Sequence, residues 1–157
     1  MPETETLIVR RETQIAAPPA TVFAFLTDPE KILSWMGGEV TTEPHPGGLY
    51  LLKGVGGHNN PRRTARGEFR EVVPVHRLAY TFGWEGHKEV PPGSSLIEID
   101  LIEQDGGTLV RFTHSRLPNE AQCAAHAIGW AHYVNRLALA AAGKDPGVDY
   151  GPVHSNT

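Results

Sequence analysis

The sequence predicts an α+β domain in which one long C-terminal helix covers the apolar face of an antiparallel sheet. Three observations predict it. From about residue 38 to residue 117, five or six strand-like runs follow one another with turn signals and no helical period between them. A second stretch, about Asn119 to Ala142, is the only one long enough to cover such a sheet. Two short apolar-sided segments in series stand between the first strand and the meander.

Taken in order, Leu7 to Ile15 combines β-branched residues with an alternating tail and reads as a strand. "APPATVFAFL" opens with prolines that suit a first helical turn, and Val22, Phe23, Phe25 and Leu26 give it an apolar side. "TDPEKILSWM" repeats the pattern, with Asp28 as cap and Pro29 in the first position. "GEVTTEP" and Gly48 to Gly54 are strands. "VGGHNNPRRT" is a loop. "ARGEFREVVP" and "HRLAYTFGW" are two further strands, followed by a second long loop, "EGHKEVPPGS". "SLIEIDLIEQ" and "TLVRFTHSRL" form a hairpin across the "DGG" turn at 105–107. Pro118 opens the long helix and Gly143 closes it. The expected organisation is one domain over 1–143 and a tail over 144–157 without periodicity, a loose or docked arm able to serve in a homodimer.

The 157 residues make about one domain, 39% hydrophobic and 20% charged, with a net charge of -4. An acidic balance argues against nucleic acid, which needs a basic face; Arg62, Arg63, Arg66 and Arg70 read as a solvated loop and strand face. The single cysteine, Cys123, excludes an internal disulfide and a thiolate zinc site, and reads as a small buried hydrophobe. No apolar signal core and no membrane-length run is present, so the expected location is the cytoplasm.

The runs "APPATVFAFLTDPEKILSWM", "PGGLYLL", "RGEFREVVPVHRLAYTFGW", "GTLVRFTHSRL" and "GWAHYVNRL", in this order and spacing, resemble the activator of heat-shock-protein-90 ATPase homologue family. That family lies within the START and birch-pollen-allergen-like (SRPBCC) superfamily. The resemblance spans about Ile8 to Ala142. It implies a helix-grip fold, a curved antiparallel sheet wrapped around the C-terminal helix with a cavity between them.

Strand parity then nominates the residues that face inward. Leu78, Tyr80, Phe82 and Trp84 share one face, and three large rings there require cover. His114 lies opposite Arg111 in parity and points in with Val110 and Phe112. Tyr50 and Leu52 oppose Lys53, and Gly67 and Phe69 oppose Arg66, Glu68 and Arg70. Ile97, Ile99 and Leu101 face in, while Glu98 and Asp100 face out. In the helix, Trp130, Tyr133, Val134 and Leu137 are expected against the sheet. The candidate ligand-contacting set is Trp35, Tyr50, Leu52, Phe69, Tyr80, Phe82, Trp84, His114, Trp130 and Tyr133. Gly129 costs its helix roughly 1 kcal/mol against alanine, and the expected reason is close approach of the sheet or the short helices.

Catalytic and metal chemistry find little support in the residues. His126 and His132 are six apart and share no helix face, and no HxxxH or HExxH pattern occurs, so no metal site is expected. The sequence carries no cofactor motif; "GVGG" at 54–57 lacks the lysine and helix of a phosphate loop. His114 is the best acid–base candidate, against the simpler expectation of a satisfied core histidine. His126 is expected to matter less, with Ala125 and Ile128 supplying the buried face. Three functions remain to compare: a binder of a hydrophobic or aromatic small molecule, a cyclase- or aromatase-like enzyme using His114 and a tyrosine, and a chaperone ATPase regulator acting through its surface.

Overall fold

The computed structural model describes residues 7–36, 38–56 and 62–152. Its elements run β1 (Val9–Ile15), α1 (Pro19–Thr27), α2 (Pro29–Leu33), β2 (Glu39–Thr42), β3 (Leu49–Val55), β4 (Arg63–Val73), β5 (Arg77–Phe82), β6 (Ser95–Gln104), β7 (Gly107–Ser115) and α3 (Glu120–Ala141). The seven strands form one antiparallel sheet in the order β1-β7-β6-β5-β4-β3-β2. From β2 to β7 each strand pairs with the next, as hairpin-type connections dictate. β1 instead lies beside β7, Val9 opposite His114 and Ile15 opposite Thr108. The chain must therefore cross from one sheet edge to the other between β1 and β2, and α1 and α2 make that crossing.

Local chemistry fixes these elements. Pro18 and Pro19 stand at the entry to α1. Asp28 ends α1 and caps α2, its carboxylate accepting from the Glu30 N–H at 3.0 Å. Asn119 caps α3 by accepting from the Gln122 N–H at 2.9 Å. The same Asn119 and Gln122 side chains donate to the Glu89 carboxylate, so the loop between β5 and β6 grips the start of α3.

The sheet curves without closing. Its sharpest feature is in β4, which pairs with β3 through Arg63–Glu68 and with β5 from Phe69 onward, with a register shift between Phe69 and Glu71. At Gly67 the backbone passes so close to the Thr81 carbonyl that any Cβ would collide with it, so only glycine permits the bend.

Strand alternation follows the expected parity. Val110, Phe112 and His114 are buried, as are Ile97, Ile99 and Leu101. Glu98 and Asp100 lie outside, where Arg77 donates to both and to Glu71. Three carboxylates around one guanidinium hold its pKa above the usual arginine value, through the hydrogen bonds from Glu71, Asp100 and Glu98.

The expectation for α3 requires correction. Trp130, Tyr133, Val134 and Leu137 are buried, but so are His126 and Arg136, whereas Ala125 and Ile128 are exposed. His126 lies one turn before Trp130, on the same stripe. Arg136 stays buried because its Nε–H donates to the Trp35 carbonyl at 3.0 Å and its Nη1 to the Pro146 carbonyl at 3.2 Å. Cys123 is half-buried rather than enclosed.

Candidate functional site

Two histidines and two tryptophans organise the interface between the first half of α3 and the sheet. His114, on β7, is fully buried. Its Nδ1 accepts from the Trp130 indole N–H at 3.0 Å. Its Nε2 lies 2.8 Å from Ser95 Oγ, and Ser95 donates its one hydroxyl proton to the Phe82 carbonyl at 2.6 Å. The network therefore assigns the proton of His114 to Nε2. His126, on α3, is the mirror case. Its Nε2 accepts from the Trp84 indole N–H at 3.1 Å, and its Nδ1 donates to the Gln122 carbonyl at 2.8 Å.

The rings of His114 and His126 are 5.1 Å apart and nearly perpendicular. Protonating either would aim a new N–H at an indole N–H. Burial, and then the neighbouring His126, push the pKa of His114 down to about 3. Burial also lowers that of His126, with the Gln122 carbonyl opposing and His87 and Arg63 adding to the shift. Both imidazoles are neutral at pH 7, and neither has a ring nitrogen left for a substrate.

Beside this network lies a pocket of about 270 Å³. Its walls come from Phe82 and Trp84 at the end of β5, from Val55 and Gly56 at the end of β3, and from Met36 after α2. The α3 side supplies Gln122, Ala125, His126, Gly129, Trp130 and Tyr133, and Arg63 and Pro152 complete the lining. Phe82, Met36 and Trp130 are buried and form the floor. Arg63 is exposed, with its guanidinium carbon 5.9 Å from the Trp84 ring centre.

Gly129 faces this space. The expected close approach is absent: a Cβ built there meets no atom within 4 Å. Glycine here leaves room rather than admitting a neighbour. The segment after α3 comes back over the same end of the helix. Asp149 accepts from His132 Nε2 and from the Tyr133 hydroxyl, each at 2.8 Å, and from the Gly151 N–H. Burial raises the carboxylate's pKa, but the bonds from His132, the Gly151 N–H and Tyr133 outweigh it and leave the group below its usual value. The Tyr133 pKa is raised, by burial first and then by Asp149.

The model of the Activator of Hsp90 ATPase homolog 1-like protein family matches residues 16–142. The chain belongs to this family. An AHSA1-like protein of Rhizobium etli is 65% identical, over 94% of this chain and 91% of that one, and its solution structure superposes with a TM-score of 0.71. CalU16 of Micromonospora echinospora is 23% identical, with 85% of this chain and 83% of that one covered and a TM-score of 0.65. The Aha1 dimer of Colwellia psychrerythraea is 17% identical, with 83% and 92% covered and a TM-score of 0.68. The last two share the fold. Among the curated proteins, none matches.

Of the residues nominated from the sequence of this family member, Phe82, Trp84, Trp130 and Tyr133 line the pocket. Trp35, Tyr50, Leu52, Phe69, Tyr80 and His114 do not; they are buried in the core. Tyr50 and Tyr80 stack at 4.1 Å, with Phe69 edge-on to both. Burial pushes the Tyr50 hydroxyl up to about 12, and that of Tyr80 is raised by burial and by Tyr50. Trp35 donates to the Phe25 carbonyl at 2.8 Å. Sequence reasoning did not nominate Met36, Val55, Gly56, Arg63, Gln122, Ala125, Gly129 or Pro152 as pocket residues. His126, one turn before Trp130, is weighed there beside His114 and set behind Ala125 and Ile128.

The loop expected at 55–63 falls mostly outside the described residues, as do the first six residues and 153–157. Among the described residues, no group of metal-binding side chains occurs and no helix is long and apolar enough to cross a membrane.

Proposed function

We propose that the protein binds a small hydrophobic or aromatic molecule in the pocket between α3 and the sheet, within the cytoplasm. The observation that carries this reading is Gly129. A mid-helix glycine costs about 1 kcal/mol, no contact needs it, and what it leaves is open space walled by Trp84, Trp130 and Phe82. Rings with their polar atoms already engaged make a wall suited to an apolar ligand.

The enzymatic alternative has less support. A general acid or base needs a free nitrogen or hydroxyl within reach of the substrate. His114 is enclosed with both nitrogens engaged, and Tyr50 and Tyr80 bond to each other deep in the core. Among the described residues, no feature of the outer face favours the chaperone-regulator alternative.

The test is native mass spectrometry of freshly purified protein, with solvent extraction of anything bound, on wild type and Gly129→Leu. A Cβ at 129 meets no atom within 4 Å, so a leucine can start into the pocket without a clash at its first carbon. The expected result is a bound apolar molecule on wild type that Gly129→Leu loses while remaining folded. Equal loading of the two proteins, or a clean unliganded mass with no thermal stabilisation by aromatic compounds, counts against the reading.

A further inference from the structure

We propose that the pocket takes an amphipathic anion, an apolar or aromatic body against Trp130 and Phe82 with a carboxylate at the Arg63 guanidinium. The inference rests on the pocket being a ligand site and specifies the ligand's charge. It follows from asking which polar groups of the lining remain open. The Trp84 and Trp130 N–H groups donate to the two histidines. Tyr133 donates to Asp149. One Gln122 amide N–H goes to Glu89, and both His126 nitrogens are engaged. A ligand reaching the indoles, the imidazole or the Tyr133 proton finds them occupied.

Arg63 differs from all of them. Among the described residues it is the one cation of the lining, and none of the described lining residues is a carboxylate. Among the described residues, no carboxylate forms an ion pair with it. Its positive charge bears on the pocket interior, because it contributes to the lowered pKa of His126. Its position over the face of Trp84 holds the guanidinium at the rim while leaving its N–H fork open. An apolar floor with a single planar cation at the mouth is complementary to a flat carboxylic acid. Such a ligand would bury its body and leave its head group partly in water.

The experiment titrates wild type, Arg63→Gln, Arg63→Lys and Gly129→Leu with 2-naphthoate and with 2-naphthamide, its neutral counterpart, by calorimetry at pH 7.4. Wild type is expected to bind the acid up to about fivefold more tightly than the amide, since an exposed ion pair is worth at most about 1 kcal/mol. Arg63→Gln should bring the acid's affinity level with the amide's, Arg63→Lys should keep part of the difference, and Gly129→Leu should abolish binding of both. Equal binding of acid and amide to wild type, with loss of both in Gly129→Leu, overturns the anion preference and leaves the pocket as a binding site. No binding of either probe, or binding indifferent to Gly129→Leu, overturns the ligand site and the anion preference together.

Discussion

The interior of the sheet has two aromatic regions of opposite character. Around Tyr50, Phe69 and Tyr80 the rings touch one another and leave no space; all three are buried. Around Phe82, Trp84 and Trp130 similar side chains surround a pocket of about 270 Å³. Aromatic content does not separate them. What separates them is the polar link across the second region: each indole donates to an imidazole of the facing element, Trp84 to His126 on α3 and Trp130 to His114 on β7, while the rings of the first region are held by one another.

The largest expected effect tests the filled region. Phe69→Ala removes a side chain enclosed on all sides and should cost about 3–5 kcal/mol, read as a lower urea midpoint. A cost below about 2 kcal/mol would mean that this region yields as easily as a pocket wall, and the contrast would fail.

The next effect belongs to the histidine supports. The folded-state pKa of His114 lies at about 3, below the usual 6.5. The unfolded chain therefore takes up a proton near pH 6.5 that the folded protein refuses until about pH 3. Stability is intact above this window and falls as pH drops through it, by about 1.4 kcal/mol per pH unit from His114 alone. His126, also lowered, steepens the fall. Urea titrations at pH 7, 6 and 5 should show the slope, and His114→Gln should flatten it. A slope unchanged in that variant would mean that other groups govern the acid transition.

The smallest effect is a gain. Gly129→Ala adds a methyl group where nothing lies within 4 Å, and it should stabilise the protein by about 1 kcal/mol. A higher melting temperature would support an open position. A destabilised variant would show that the helix needs its glycine for packing.

The two regions were not equally legible in the sequence. Strand alternation carried the sheet: Ser95–Gln104 was read with its observed ends, His114 pointed inward, and Glu98 and Asp100 pointed outward. Alternation records which way a side chain faces, not how far away the opposite wall lies. Tyr80 and Trp84, on the same side of one run, therefore looked equivalent, although one is core and the other borders the pocket. Helix α3 was harder because it is rich in alanine. Ala125 and Ile128 offered an apolar side that competes with the true stripe through His126, Trp130 and Tyr133. Gly129 was misread because a glycine marks either close contact or a gap, and sequence alone carries no sign to choose between them. Arg136 was missed because its burial depends on the Trp35 and Pro146 carbonyls, which are brought to it by segments distant in space until the chain folds.

The paired indoles and imidazoles have an optical consequence. Of the three tryptophans, Trp35 bonds to a backbone carbonyl, while Trp84 and Trp130 each donate to a histidine and line the pocket. An imidazole that becomes protonated accepts an electron from an excited indole and darkens its emission. A molecule bound at the proposed site would displace solvent from those same two rings. On that reading Trp84 and Trp130 would be an intrinsic fluorophore pair for pocket occupancy and for histidine charge, with Trp35 as an internal reference.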